Sequence, residues 1–307
     1  MAVVSSPETV TAQWQPFAED GGGPLDSGGP LGSGLAYYAG RVSRPRMEFN
    51  ALRVDLSHPG LRILTAGGGG GLAGSGLASR AADGRFLSIK VSTFVRGNNL
   101  TAGINALPFD PVSGREGEPR TNMGIVITDG VMVSPPHARF DALVFYADGS
   151  AAITPQSAIQ SAEHIDNAVG GFYRILEGGE LVPRVLDAKA RRQGRHPRSA
   201  AGISPDGRYL YLLVIDGRRP GSVGGTEAET ALLLRALGAG EGINFDGGGS
   251  SALALRYPNG KVRAANTPVH GHIPGRERAV AGCLGINAHG INAHGINAHG
   301  KKIIEGE

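Results

Sequence analysis

Three times along this chain an Asp-Gly pair separates two short apolar runs: Asp129-Gly130, Asp148-Gly149 and Asp206-Gly207. Asp and Gly tolerate the positive φ that a tight hairpin demands, so each pair predicts two antiparallel strands closed by that turn. The first joins 122–128 to 131–134, the second 141–147 to 150–154, and the third, preceded by Pro205, joins 199–204 to 208–215. Gly178-Gly179 repeats the plan between 168–176 and 180–182, and Pro258-Asn259-Gly260 makes a further turn. Hairpins in such number imply mainly antiparallel sheet. The 50 glycines agree, since they suit a loop-rich β protein better than a helical bundle.

One helix interrupts the hairpins. Thr226 followed by Glu229 is a capping box, 227–237 is rich in Ala and Leu, and Gly238 closes the segment. It lies between a strand ending at Asp216 and one ending at Phe245. A strand–helix–strand crossover places Asp216 and Asp246 at neighbouring strand ends if those strands run parallel. A shorter helix is expected within 156–167, and 86–94 reads either as a strand or as the start of a helix. The expected fold is therefore α+β, a mixed and largely antiparallel sheet built from hairpins with a few packed helices.

Composition sets the outer limits. Hydrophobic residues make up 40% and charged residues 19% of 307, enough for a sizeable core. A net charge of +3 does not by itself indicate nucleic-acid binding, and no apolar run is long enough to span a membrane. The single Cys283 excludes an intramolecular disulfide. The first ten residues lack a basic start and an apolar core; a secreted chain shorn of its signal would read the same way, so the compartment stays open. Residues 1–46 read as a flexible Gly/Pro-rich segment with a first strand, 47–286 as the main domain, and 287–307 as a repetitive, disordered tail. Gly67 to Gly71 mark a mobile loop, because no strand–helix–strand context accompanies their nucleotide-like spacing. The tail repeats Ile-Asn-Ala-His-Gly three times; His289, His294 and His299 have no carboxylate or thiol at fixed spacing to complete a metal site.

The chemistry-bearing residues gather in the last third. Strands at 241–245 and 252–256 flank Asp246-Gly247-Gly248-Gly249-Ser250-Ser251, and three glycines exceed what a two-residue turn needs. Glycines let a ligand approach the main chain, and successive N–H groups there can hold an anion. Asn244 shares its strand face with Asp246. His196-Pro197-Arg198 and Asp216-Gly217-Arg218 are likewise polar ends of apolar strands, where a scaffold presents functional groups. Each residue also has a plainer reading. Asp216 and Asp246 serve as turn formers, Glu229 as the capping acid, Arg198 as a surface charge and His196 as packing at a strand start. Arg184, Lys189, Arg191, Arg192 and Arg195 read as a solvated basic loop that helps attract anions.

Taken together, His196 to Ala200, Asp206-Gly207, Val214 to Arg218, Gly224 to Glu229 and Asn244 to Ser251 resemble the phosphodiester glycosidase family in order and spacing. Weaker similarity at Ala168 to Phe172, Asp129-Gly130, Ala102 to Asn105 and 279–286 extends the resemblance over most of 47–286. The family usually has Asn-Gly-Gly-Phe-Phe where this chain has Asn105-Ala106-Leu107-Pro108-Phe109, a change that alters the local shape of the pocket.

The resemblance implies hydrolysis at a sugar whose anomeric carbon is linked to a phosphodiester, in a phosphorylated glycan or glycolipid. It implies Asp246 or Asp216 as the carboxylate facing the oxocarbenium ion, Arg198 as the cationic fork for phosphate, and Glu229 as a further catalytic acid. Gly247, Gly248, Gly249, Ser250, Ser251 and Arg218 would bind phosphate or sugar oxygens, with Asn105, Asn244 and His196 orienting the substrate. No cofactor is required on this reading. One alternative is a metal-dependent phosphodiesterase with a divalent ion on Asp216 and Asp246. Another is a glycan- or surface-binding module without turnover. Oligomeric state and sugar identity are not encoded in any of these motifs.

Overall fold

A computed structural model describes residues 2–4, 6–10, 14–16, 34–65, 81–187 and 194–288. The expected linker around Gly21, the loop at Gly67 to Gly71, the basic residues Lys189, Arg191 and Arg192, and the histidine repeats lie outside the described residues.

The centre of the molecule is a sheet whose main strands are, in spatial order, Leu35–Ser43, Arg46–Asp55, Tyr209–Ile215, Arg198–Ile203, Glu241–Asn244 and Tyr173–Glu177. Residues alternate across it with the period of two that a strand imposes. Leu52, Val54, Ala201, Ile203, Leu212, Val214, Ile243 and Phe245 face one way and pack on two five-stranded sheets. One of these contains Ala102–Asn105, Leu253–Arg256 and Cys283–Asn287; the other contains Val126–Thr128, Asp141–Tyr146 and Ile165–Gly170. Phe49, Ala51, Ala200, Leu213 and Ile215 face the opposite way and pack under the helix Glu227–Leu237 through Ala231, Leu234 and Leu237. The architecture is α+β and dominated by antiparallel strands.

The hairpins at Asp129-Gly130, Asp148-Gly149, Asp206-Gly207, Gly178-Gly179 and Asn259-Gly260 all form. The Gly178-Gly179 hairpin is shorter than expected, because 168–176 is not one strand. Ile165–Gly170 belongs to a five-stranded sheet and Tyr173–Glu177 to the central one. The chain changes sheets at Gly171, where an added Cβ would fall 2.9 Å from the Asn244 carbonyl. The helix expected within 156–167 is only a 3-10 turn, Gln156–Ala158. Its cause is the Gln156 side chain, which accepts from the amides of Ile125 and His137 at 2.8 Å each and donates to the Asp141 carbonyl at 2.9 Å. A side chain bonded to three separate stretches in this way pins the backbone where a helix would have to continue. Both readings of 86–94 are realised, as Phe86–Leu87 and then the helix Val91–Gly97.

The helix Glu227–Leu237 has the reciprocal cap: Thr226 Oγ1 accepts from the Glu229 amide at 3.1 Å, and Glu229 Oε2 accepts from the Thr226 amide at 2.8 Å. Gly238 ends it at φ +113°. Thr226→Ala should cost about 1 kcal/mol, read as a fall of roughly 2–4 °C in melting temperature.

The crossover through this helix differs from expectation in one respect. Tyr209–Ile215 and Glu241–Asn244 are parallel, since both pair antiparallel with Arg198–Ile203, but that strand lies between them. Asp216 and Asp246 therefore leave the same end of the sheet two strand spacings apart, roughly 10 Å, instead of at adjacent strand ends.

Candidate active site

That end of the sheet is the polar edge of the fold. The Asp216 amide donates to the Glu48 carbonyl, Ile215 pairs with Arg198, the Gly248 amide donates to the Pro197 carbonyl, and the Phe172 amide donates to the Asn244 carbonyl. The glycine turn is where the chain passes from the central sheet to a five-stranded one, so Glu241–Asn244 and Leu253–Arg256 are not hairpin partners. Asn105 fastens the turn. Its Nδ2 donates to the Asp246 carbonyl at 2.6 Å, and its Oδ1 accepts from Ser199 Oγ at 2.7 Å and the Ala252 amide at 3.1 Å. The Asp246 amide donates to the Ala106 carbonyl at 2.7 Å. Next to it Leu107 is buried against Gly282, and its side chain fills the space beside that glycine.

The Asp246 carboxylate sits in the mouth of the turn. Desolvation by the surrounding atoms pushes its pKa up to about 6, against the opposing pull of the Ser250 hydroxyl, the Arg278 charge and the Gly247 amide. Arg278 Nη1 donates to Ser250 Oγ at 3.2 Å, and its Nε donates to His270 Nδ1 at 3.1 Å. A Cβ added to Gly249 would fall 2.5 Å from Arg278 Nη2, and one added to Gly248 would fall 2.9 Å from Arg218 Nη2. These glycines leave room for two guanidinium groups that a side chain at either position would push aside. The amides of Gly247 and Gly248 are engaged by Asp246 and Pro197, so the positive charge over the turn comes mainly from Arg218 and Arg278.

Asp216 is a different kind of carboxylate. It is 2% exposed and accepts from Arg219 Nη2 at 2.7 Å, Asn266 Nδ2 at 3.1 Å and the Thr267 amide at 3.0 Å. Burial pushes its pKa up, and those donors only partly oppose the shift. Arg219 also pairs with Glu48, which pairs in turn with Arg41. Asn266 ties this network to the turn, donating to the Ser251 carbonyl at 3.2 Å and accepting from the Leu253 amide at 2.9 Å.

Arg198 and Glu229 lie on the helix side. Arg198 Nε donates to the Gly225 carbonyl at 3.0 Å, and its charge faces Glu227 and Glu229, whereas Asp246 feels Arg278. Glu229 is held by Thr226 and by an ion pair with Arg195. His196 pairs with Gly225 through the backbone in both directions. The set expected from sequence therefore divides. Asp246, Ser250, Arg218 and the glycines form one group, Asp216 anchors a second, and Arg198, Glu229 and His196 form a third. Arg278, His270, Asn266 and Glu227 were missed. Arg276-Glu277-Arg278 has no distinctive spacing, and only its folding back over Gly249 reveals it. Among the described residues no three His, Cys, Asp or Glu side chains gather to hold a metal ion, and no helix is long and apolar enough to cross a membrane.

The profile of the phosphodiester glycosidase family matches residues 98–287, which is more than half of the chain and contains every group just described except Glu48 and Arg41. The chain belongs to the phosphodiester glycosidase family. No curated protein sequence matches it. Its fold is similar to the catalytic domain of zebrafish N-acetylglucosamine-1-phosphodiester alpha-N-acetylglucosaminidase, with TM-score 0.59 and 19% identity, covering 91% of this chain and 89% of that one. It is also similar to a hypothetical protein from Synechocystis, with TM-score 0.57 and 14% identity, covering 85% of this chain. This chain spans 64% of that protein's length. Within the matched region lies the Asp-Gly-Gly-Gly-Ser-Ser turn, with a carboxylate and two arginines converging on it.

Proposed function

We propose that this protein is a hydrolase that cleaves a sugar-1-phosphodiester, breaking the bond between the anomeric carbon and the phosphate oxygen in a glycan or glycolipid. The observation that supports this most is the pairing of functions at one turn: a partly desolvated Asp246 carboxylate beside Arg278 and Arg218. The phosphate monoester is already a good leaving group, so the departing oxygen needs positive charge more than it needs a proton. Arg278 and Arg218 supply that charge. Asp246 in its ionised form faces the positive charge that develops on the sugar ring. It acts either as a nucleophile on the anomeric carbon or as the base that takes a proton from attacking water. In either course the carbon–oxygen bond to phosphate breaks, its electron pair leaves with the phosphate monoester, and water supplies the new anomeric hydroxyl. The zebrafish relative is named for N-acetylglucosamine, which makes that sugar the first to try.

The test is hydrolysis of a panel of α- and β-linked glycosyl phosphodiesters by the purified protein, with the product anomer read by NMR. Retained configuration assigns Asp246 as nucleophile and inverted configuration as base. Since Asp246 must be ionised, kcat/KM should rise with pH through about 6 and then level off. A profile falling through that region would make Asp246 an acid. Arg278 holds the Asp246 pKa down, so Arg278→Met should move the rising limb to higher pH. It should also raise KM and lower kcat, together costing roughly a hundredfold in kcat/KM.

A further inference from the structure

The helix side of the same edge carries a buried cluster that the chemistry above does not use. Arg198, Glu227 and Asn244 are 8%, 6% and 3% exposed. Arg198 Nη1 lies 3.9 Å from Glu227 Oε1, and the two side chains retain 10% and 7% of their surface, so the pair lies just beneath solvent. Asn244 pairs in register with Ala200, two residues from Arg198 on the same face of the central sheet. Two acceptors in this cluster, Glu227 Oε2 and Asn244 Oδ1, have no hydrogen-bond donor. Buried polar atoms are nearly always paired, and an unpaired carboxylate oxygen is costly, so one orphan on the partner of the Arg198 guanidinium and a second on the same sheet face point to donors that arrive from outside.

The charges identify the class of ligand. Arg198 is balanced by Glu227, and Glu229 by Arg195, so this side has no surplus of positive charge to attract a phosphate. The surplus lies at Arg218 and Arg278, across the glycine turn. A neutral group bearing adjacent hydroxyls or an amide N–H matches the helix side, because it brings donors for Glu227 and Asn244 and an acceptor for Arg198. Resting on the glycosidase reading, we infer that Arg198, Glu227 and Asn244 form the pocket for the sugar ring, with Glu227 the residue that sets which hydroxyl pattern is accepted. Arg198 thereby serves the sugar and not the phosphate.

The test separates this pocket from the catalytic reading by using ligands with no phosphate. Binding of methyl glycosides of N-acetylglucosamine, glucose, galactose and mannose to the intact protein is followed by ligand-observed NMR, with phenyl phosphate as a separate probe. At least one methyl glycoside should bind the wild type without phosphate present. Glu227→Gln and the near-isosteric Asn244→Leu should each weaken it by roughly tenfold or more. Arg278→Met should leave sugar binding unchanged while weakening phenyl phosphate. Retained phenyl phosphate binding shows that Glu227→Gln and Asn244→Leu are folded, and retained sugar binding shows it for Arg278→Met. If no methyl glycoside binds the wild type, or if both variants bind sugar as the wild type does, the orphan acceptors are satisfied by ordered water and the inference fails. Sugar binding that depends on Glu227 in a protein without phosphodiester turnover would support the pocket and reject the proposed reaction.

Discussion

Asp246→Asn should lower turnover on a glycosyl phosphodiester by a hundredfold or more, since the substitution keeps size and an acceptor oxygen but removes the charge that opposes the oxocarbenium ion. The same variant should be at least as stable as the wild type at neutral pH. The sign follows from linkage. Folding raises the Asp246 pKa from 3.8 to about 6, so the folded state holds the proton more tightly than the unfolded chain does. The group's favourable contribution is therefore fully present below 3.8 and is lost as pH rises through about 6. At pH 7 the ionised carboxylate costs the fold on the order of 1–3 kcal/mol, which asparagine does not incur. Melting temperatures of the two proteins should converge below about pH 4, draw apart in favour of the variant as pH rises towards about 6, and keep a constant gap above it. Turnover close to the wild type would remove Asp246 from the mechanism.

Asp216→Ala should behave in the opposite way. Removing this carboxylate takes a buried acceptor from the Thr267 amide, from Asn266 Nδ2 and from Arg219 Nη2, the same nitrogen that also meets Glu48. Breaking a buried pair in this manner costs roughly 3–5 kcal/mol, or a fall of about 6–20 °C in melting temperature for a domain of this size. Activity should fall because fewer molecules are folded and because Asn266 no longer steadies the Ser251 end of the turn. Assays at low temperature, where the variant remains folded, should recover a large share of turnover. A variant that melts like the wild type but is inactive would return Asp216 to the chemistry.

These contrasting expectations show which parts of the molecule can be read from sequence. Hairpin turns are local, so Asp129-Gly130, Asp148-Gly149 and Asp206-Gly207 are legible wherever they occur, as is the helix that Thr226 and Glu229 cap. The turn at Asp246 stands out because three glycines in a row have little structural reason unless something approaches closely. What approaches is not local. Arg278 lies almost thirty residues further along and reaches the turn only because the closing strand, Cys283–Asn287, returns beside Ala102–Asn105. Asn266 likewise joins Asp216 to Ser251 through a loop with no motif of its own. Gln156 ends an expected helix through contacts to three distant segments, which composition cannot signal. The strand inserted between the two aspartates was also hidden. A crossover specifies direction, but the pairing register of Arg198–Ile203 with both neighbours decides adjacency. Glu227 is the clearest omission. Next to the capping residue it reads as ordinary first-turn acid, and only burial against Arg198 sets it apart.

The most direct test of the account is the fate of the solvent oxygen. The purified protein is given a glycosyl phosphodiester in isotopically labelled water, and both products are analysed by mass spectrometry. The account predicts label at the anomeric hydroxyl of the released sugar and none in the phosphate monoester. Label in the phosphate would mean that the phosphorus–oxygen bond is the one broken, and would contradict the role assigned to Asp246.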